Sequence, residues 1–125
     1  MSGQVTYEVV DGKARYNGRT LAEWLPHVVA DLVSTFDPLR VILFGSVAQG
    51  NDGPDSDIDV LIVLPEVDRA RRHELMAQAH LAITAPVPVD VFVTDPEEIE
   101  RRKDVIGSHL YWPLREGRVV HERAA

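Results

Sequence analysis

Short apolar runs alternate with helix-period segments along this chain. Val41 to Phe44 is an uninterrupted apolar run that stops at Gly45-Ser46, and Ile58 to Leu64, opened by Asp57-Ile58-Asp59, is a second apolar run, closed by Pro65. Runs of this length between turn residues predict buried strands. Val89-Asp90-Val91-Phe92-Val93 predicts a third strand, exceptional in carrying an acid inside an apolar run. Leu21, Trp24, Leu25, Val28, Val29, Leu32, Val33 and Phe36 recur at helical spacing after Thr20, a plausible N-cap whose capping box Glu23 would complete. Pro26 lies inside that pattern, so the helix either kinks there or begins near it. A second helix is expected from Asp68 to about Thr84, with Leu75, Met76, Ala79, Ala82 and Ile83 inward and Arg69, Arg71, Arg72 and His73 as its solvated first turns. Thr94 or Asp95 should cap a last helix that has Pro96 at its first position and Glu97 and Glu98 in its first turn. It is expected to run through Ile99 and Ile106 until Gly107 to Pro113 breaks the pattern, and Gly117 to His121 predicts a short terminal strand. At the other end, Val5 to Val10, Asp11-Gly12 and Lys13 to Tyr16 read as a β-hairpin. An isolated hairpin is marginal, so this one must pack on the core or on a partner chain. The pattern as a whole is that of one compact α/β (α+β) domain with an N-terminal hairpin.

Composition narrows the chemistry. The chain has 125 residues, 20 acidic and 13 basic side chains and a formal net charge of -7. That balance disfavours non-specific nucleic-acid binding, which needs a basic surface to displace counterions. It is compatible with an anionic substrate that arrives with a divalent metal, because the metal carries the positive charge. The absence of cysteine excludes disulfides, thiolate catalysis and Cys-type zinc sites. With no apolar signal region or membrane-length run, a cytoplasmic location is the expectation.

The chemistry-bearing residues flank the loop between the first two strands. Asp57 and Asp59 are two apart, so on a strand both carboxylates point to one face while Ile58 and Val60 point to the other. Two like charges that close raise each other's pKa unless a cation intervenes. Magnesium is the natural cation, since it takes hard oxygen ligands and pairs one or two carboxylates with substrate phosphates. Asp90 could reach the same spot from the neighbouring strand. Three acids around two metal ions suit phosphoryl or nucleotidyl transfer. Gly45, lacking a Cβ, lets backbone approach a phosphate, and Ser46 with the amides after it would open a short helix over Val47 to Gln49, an anion site. A metal–nucleoside triphosphate complex needs both halves.

Gly45-Ser46, ten intervening residues (47–56) and Asp57-Ile58-Asp59 resemble the signature of the DNA polymerase beta-like nucleotidyltransferase superfamily, and within it the minimal nucleotidyltransferase (MNT) group. The resemblance spans roughly Leu21 to Val120. It implies a mixed β-sheet flanked by helices over residues 19–125, with residues 1–18 as an extension. It also implies an ATP substrate and two Mg²⁺ ions. By position, Asp57 and Asp59 would bind metal, Asp90 would complete the triad and help to activate the acceptor hydroxyl, and Gly45 and Ser46 would hold the triphosphate. The sequence departs from the group's Gly-Ser-Arg-Ala-Arg-Gly pattern at Val47 and Gln49, which removes a bidentate phosphate contact. That departure bears on ATP affinity more than on metal binding.

Three functions compete. The leading expectation is AMP transfer from ATP to a hydroxyl of a partner protein, the partner being a HEPN-type toxin and this chain its antitoxin. The second is a binding module of the same fold that neutralises a partner by contact. The third is an aminoglycoside-type nucleotidyltransferase, which would need a dimer to build its acceptor pocket. Trp112 and Tyr111 read as packing or partner-contact residues, Trp24 as core or interface, and Arg101-Arg102-Lys103 as a solvated helix face. Arg102 and His109 have a loose Arg-x6-His spacing of the kind found in HEPN ribonucleases, but an α/β pattern does not suit that all-helical fold.

Overall fold

The computed structural model describes residues 4–124. Four strands form the central mixed sheet: β4 (Arg40–Phe44), β5 (Ile58–Val63), β6 (Val89–Thr94) and β7 (Arg118–Glu122), in spatial order β6-β5-β4-β7. A separate three-stranded sheet holds β1 (Tyr7–Val10), β2 (Lys13–Tyr16) and β3 (Arg19–Thr20). The N-terminal hairpin is therefore present, and it carries one strand more than its sequence suggested. Asp11-Gly12 turns at φ 53° and 81°, and Asn17-Gly18 turns at 52° and 81°. Both pairs have the left-handed values of tight hairpin turns, which Asp, Asn and Gly tolerate best.

Helix α1 (Leu21–Phe36) starts at the capping box: Thr20 Oγ1 accepts from the Glu23 amide at 3.2 Å, and Glu23 accepts from the Thr20 amide at 2.9 Å. Of the two readings of Pro26, a later helix start is therefore excluded. Pro26 sits within α1 on its exposed side, where the carbonyl it leaves without a partner is open to water. The inner side of α1 buries Leu21, Trp24, Leu25, Val28 and Leu32 against one face of the sheet. Helix α3 (Arg72–Ala82), entered through a 3₁₀ turn at Arg69–Arg71, covers the same face through Ala79, with Leu75, Met76 and Ile83 partly buried beside it. The opposite sheet face is thinner. There Ile42, Leu61 and Val63 meet Leu110, Ile99 of α4 (Pro96–Arg102) and Leu114 of α5 (Tyr111–Glu116). Each fully buried Leu or Val contributes roughly 1.5–3 kcal/mol.

Two expectations about helices need correction. The last helix does not reach Ile106: α4 ends at Arg102, and Ile106 is 77% exposed. The break comes early because Ile99 is the last residue of that segment with apolar neighbours. Arg72 is not solvated either, because it lies against a buried carboxylate described below. Asp95, rather than Thr94, is the N-cap, accepting from the Glu98 amide at 2.8 Å.

Register fixes the function-bearing end of the sheet. β4 and β5 are antiparallel with Phe44 opposite Asp59, and β5 and β6 are parallel with Asp59 opposite Asp90. β7 is antiparallel to β4. Val41 faces His121 but Ile42 faces Val119, so Val120 is an extra residue, a β-bulge.

Candidate active site

The alternation of β5 sends Ile58 and Val60 into the main core at 0% exposure and leaves the carboxylates of Asp57 and Asp59 for the thinner face. Because Asp59 and Asp90 are register partners on adjacent parallel strands, their side chains emerge side by side. One carboxylate oxygen each from Asp57, Asp59 and Asp90 lies within 4.8 Å of the other two. The structure thus brings together all three acids proposed from the sequence.

Their electrostatics are those of an unneutralised cluster. Asp59 is pushed up from 3.8 to about 7, first by burial, then by the charge of Asp57, its hydrogen bond and the charge of Asp90. Asp90 is also raised, first by its hydrogen bond with Asp57, then by burial and the charge of Asp57, with His80 pulling weakly the other way. A carboxylate trio that cannot comfortably hold its full negative charge has the donor chemistry of a divalent-cation site: hard oxygens, converging, with charge to spare. The residues therefore fit magnesium or a similar hard cation.

Gly45 and Ser46 open α2 (Gly45–Gln49) directly after β4. Gly45 has φ 79°, a left-handed value, and a Cβ built there would collide with Asp59 Oδ2 and come within 3.1 Å of its Cγ. The glycine is needed for two reasons, then: the turn itself, and room for the Asp59 carboxylate one strand away. Among the described residues no side chain caps the start of α2, so its first amides stay available to an acceptor. Ser46 is half-buried at this turn.

Val47 does not project toward the acids: it is 6% exposed and belongs to the main core, while Gln49 is exposed. A long cation at position 47 would have to leave that apolar packing. The cation that reaches the loop after α2 comes from the N-terminal sheet. Lys13 Nζ meets Asp52 Oδ1 at 3.0 Å and the Gly50 carbonyl at 3.4 Å, and Tyr7 donates its hydroxyl to the Pro54 carbonyl at 2.9 Å. With Trp24 Nε1 donating to the Tyr16 carbonyl at 2.8 Å, the hairpin is tied both to α1 and to the loop that delivers Asp57. Sequence reasoning missed this pair. Lys13 and Asp52 stand 39 positions apart, and only the tight Asp11-Gly12 turn hinted where Lys13 would be presented.

Comparison with known proteins agrees with this geometry. The model of the nucleotidyltransferase domain family matches residues 25–112. A crystal structure at 1.40 Å resolution of a candidate nucleotidyltransferase from Sulfolobus solfataricus aligns with TM-score 0.58 and 25% identity, covering 82% of this chain and 81% of that one. No curated protein matches. The chain belongs to the nucleotidyltransferase domain family.

Proposed function

We propose that this protein transfers a nucleoside monophosphate, AMP from ATP, to a hydroxyl group of a partner protein. The observation that carries the reading is the convergence of Asp57, Asp59 and Asp90 beside the uncapped Gly45-Ser46 turn. Asp57, Asp59 and Asp90 would hold divalent cations, two Mg²⁺ ions in this reading, and Gly45 and Ser46 would hold the triphosphate. Bound there, the cations would neutralise the phosphates and stabilise charge developing at the α-phosphorus. Asp90 is the exposed member of the trio, so it is the acid an incoming hydroxyl would reach, and it would accept that hydroxyl's proton. The acceptor oxygen forms a bond to the α-phosphorus in line with the breaking bond, and pyrophosphate leaves.

A protein acceptor suits a site whose Asp90 is exposed at the sheet end, where a side-chain hydroxyl of another chain can approach. A HEPN-type toxin with a reactive hydroxyl is the proposed partner, this chain being its antitoxin. The test is to incubate the two proteins with ATP and Mg²⁺ and weigh the partner intact. An AMP-sized mass gain that disappears with Asp57→Asn supports transfer. If the wild type and the variant both leave the partner's mass unchanged, the transfer reading fails.

The placement of Val47 in the core favours a second reading, in which the fold binds its partner without catalysis. Calorimetry separates the two. Heat on adding ATP with Mg²⁺ favours the enzyme, whereas tight partner binding without nucleotide binding favours the module.

A further inference from the structure

The parallel strands β5 and β6 carry the acids at their amino ends, and a second cluster of titratable groups lies beyond their carboxyl ends. Arg69, Arg72, Glu98, Arg102 and His109 line a cleft of about 290 Å³. Thr94, whose buried hydroxyl donates to Glu98 of the cleft, follows Asp90 by four residues on β6, so at ~3.3 Å per residue the two places are roughly 13 Å apart. Three separate segments converge there: the entry to α3, helix α4 and the turn before α5.

Glu98 accounts for only one of the cations. Its side chain is 8% exposed, with Oε2 accepting from Arg72 Nη2 at 2.8 Å and Oε1 accepting from the Thr94 hydroxyl at 2.6 Å. His109 Nε2 stands 3.3 Å from Arg72 Nη1 and 3.6 Å from Glu98 Oε1. Arg69 and Arg102 are left over, since neither makes an ion pair among the described residues. Their chain neighbours are balanced: Arg71 pairs with Glu74, Arg101 with Glu97 and Lys103 with Glu100. The two arginines of this region without an ion-pair partner among the described residues thus both line the cleft.

We propose that this cleft binds a small phosphoryl anion of the size of phosphate or pyrophosphate, gripped by Arg69 and Arg102 with His109 and the outer edge of Arg72 behind them. Planar guanidinium groups meet phosphoryl oxygens with two parallel hydrogen bonds, the stronger kind of charge-assisted contact. The cleft's volume is at the small end for ligand sites, which suits a phosphoryl or diphosphoryl group. The site does not depend on the transfer reaction: it lies at the other end of the sheet and uses none of the three acids.

The experiment is an NMR titration of the full chain with inorganic phosphate and, separately, inorganic pyrophosphate, with EDTA present to keep metal out of the acid cluster. The His109 ring resonance, identified with the H109Q variant, is the reporter. Saturable movement with either probe is expected. The R69A/R102A double variant, which alters exposed side chains, should weaken binding about tenfold or more. An R71A/R101A variant removes the same charge from outward positions and should bind as the wild type does. Three results would overturn the proposal: no movement of His109 up to millimolar probe, equal weakening by both double variants, or shifts at Gly45 and Ser46 with His109 still.

Discussion

The two ends of the β5–β6 pair treat buried negative charge in opposite ways. At the carboxyl end, burial alone would raise Glu98, but the Thr94 hydroxyl and the Arg72 guanidinium outweigh it and hold the acid below its ordinary range. At the amino end, Asp59 has only other acids for close company, and its pKa rises to about 7. The first arrangement is complete as it stands. The second holds charge that the fold disfavours until a proton or a cation joins it, and that incompleteness separates a ligand site from an internal ion pair.

The comparison can be broken most forcefully at the acids. Asp57→Asn or Asp59→Asn should reduce the proposed AMP transfer on the order of 10³-fold or more, since charge stabilisation by a metal held there would supply several kcal/mol of the barrier reduction. Pyrophosphate release measures it, and activity within tenfold of wild type would mean that these acids are not the ligands. Next in size is Gly45→Ala. A methyl at φ 79° in collision with Asp59 should cost about 2–3 kcal/mol in chemical denaturation. Gly50→Ala is also left-handed, at φ 76°, but has nothing within 4 Å of its Cβ position and should cost only about 1 kcal/mol.

Removing one acid from each end should then give opposite signs. Glu98→Ala strands Arg72 and Thr94 and should destabilise by about 2 kcal/mol. Asp59→Asn, measured at pH 8 with EDTA, should leave stability unchanged or higher, because it removes a charge that the fold disfavours. Destabilisation of similar size by both would erase the contrast.

Acidity offers a gentler probe. Asp59 binds its proton more tightly in the folded chain than in the unfolded one, about 7 against 3.8. Its contribution is therefore fully present below about pH 4 and is lost as pH rises through 7. Adding MgCl₂ should raise the melting temperature more at pH 8 than at pH 5, and an equal rise at both would argue against metal at this acid. The smallest effect belongs to Lys13→Ala. Losing the partner of nearly buried Asp52 should cost about 1 kcal/mol by denaturation, discounted because Lys13 is itself 39% exposed. It should also lower transfer activity modestly by loosening the loop that carries Asp57.

The amino end of the strand pair was legible in the sequence because its signals are local. The Gly45-Ser46 break ends one strand, the Asp57-x-Asp59 spacing opens the next and Asp90 lies within a third, so strand boundaries and alternation set where the acids point. The Thr20–Glu23 capping box was legible for the same reason. The carboxyl end was not, since the Arg72–Glu98 pair joins positions 26 apart and each half has an ordinary local reading, Arg72 as a solvated turn and Glu98 as an acid in a helix's first turn. Gly45 was legible as a turn, but its clearance for Asp59 depends on pairing that only the folded sheet supplies. The third strand of the N-terminal sheet was within reach: Asn17-Gly18 is the same turn chemistry as Asp11-Gly12.

The bulge at Val120 has a consequence for how this protein behaves in a crowded solution. β7 is an outer strand, and a regular outer strand offers a row of unpaired amides and carbonyls to any extended chain that meets it. One inserted residue puts that row out of step, so a second strand could follow it for only a few residues before its hydrogen bonds lost their partners. Arg118 and Glu122 place charge near both ends of the same strand. This edge of the sheet thus carries protection against edge-to-edge pairing with another chain, at the margin farthest from the strand that bears Asp90.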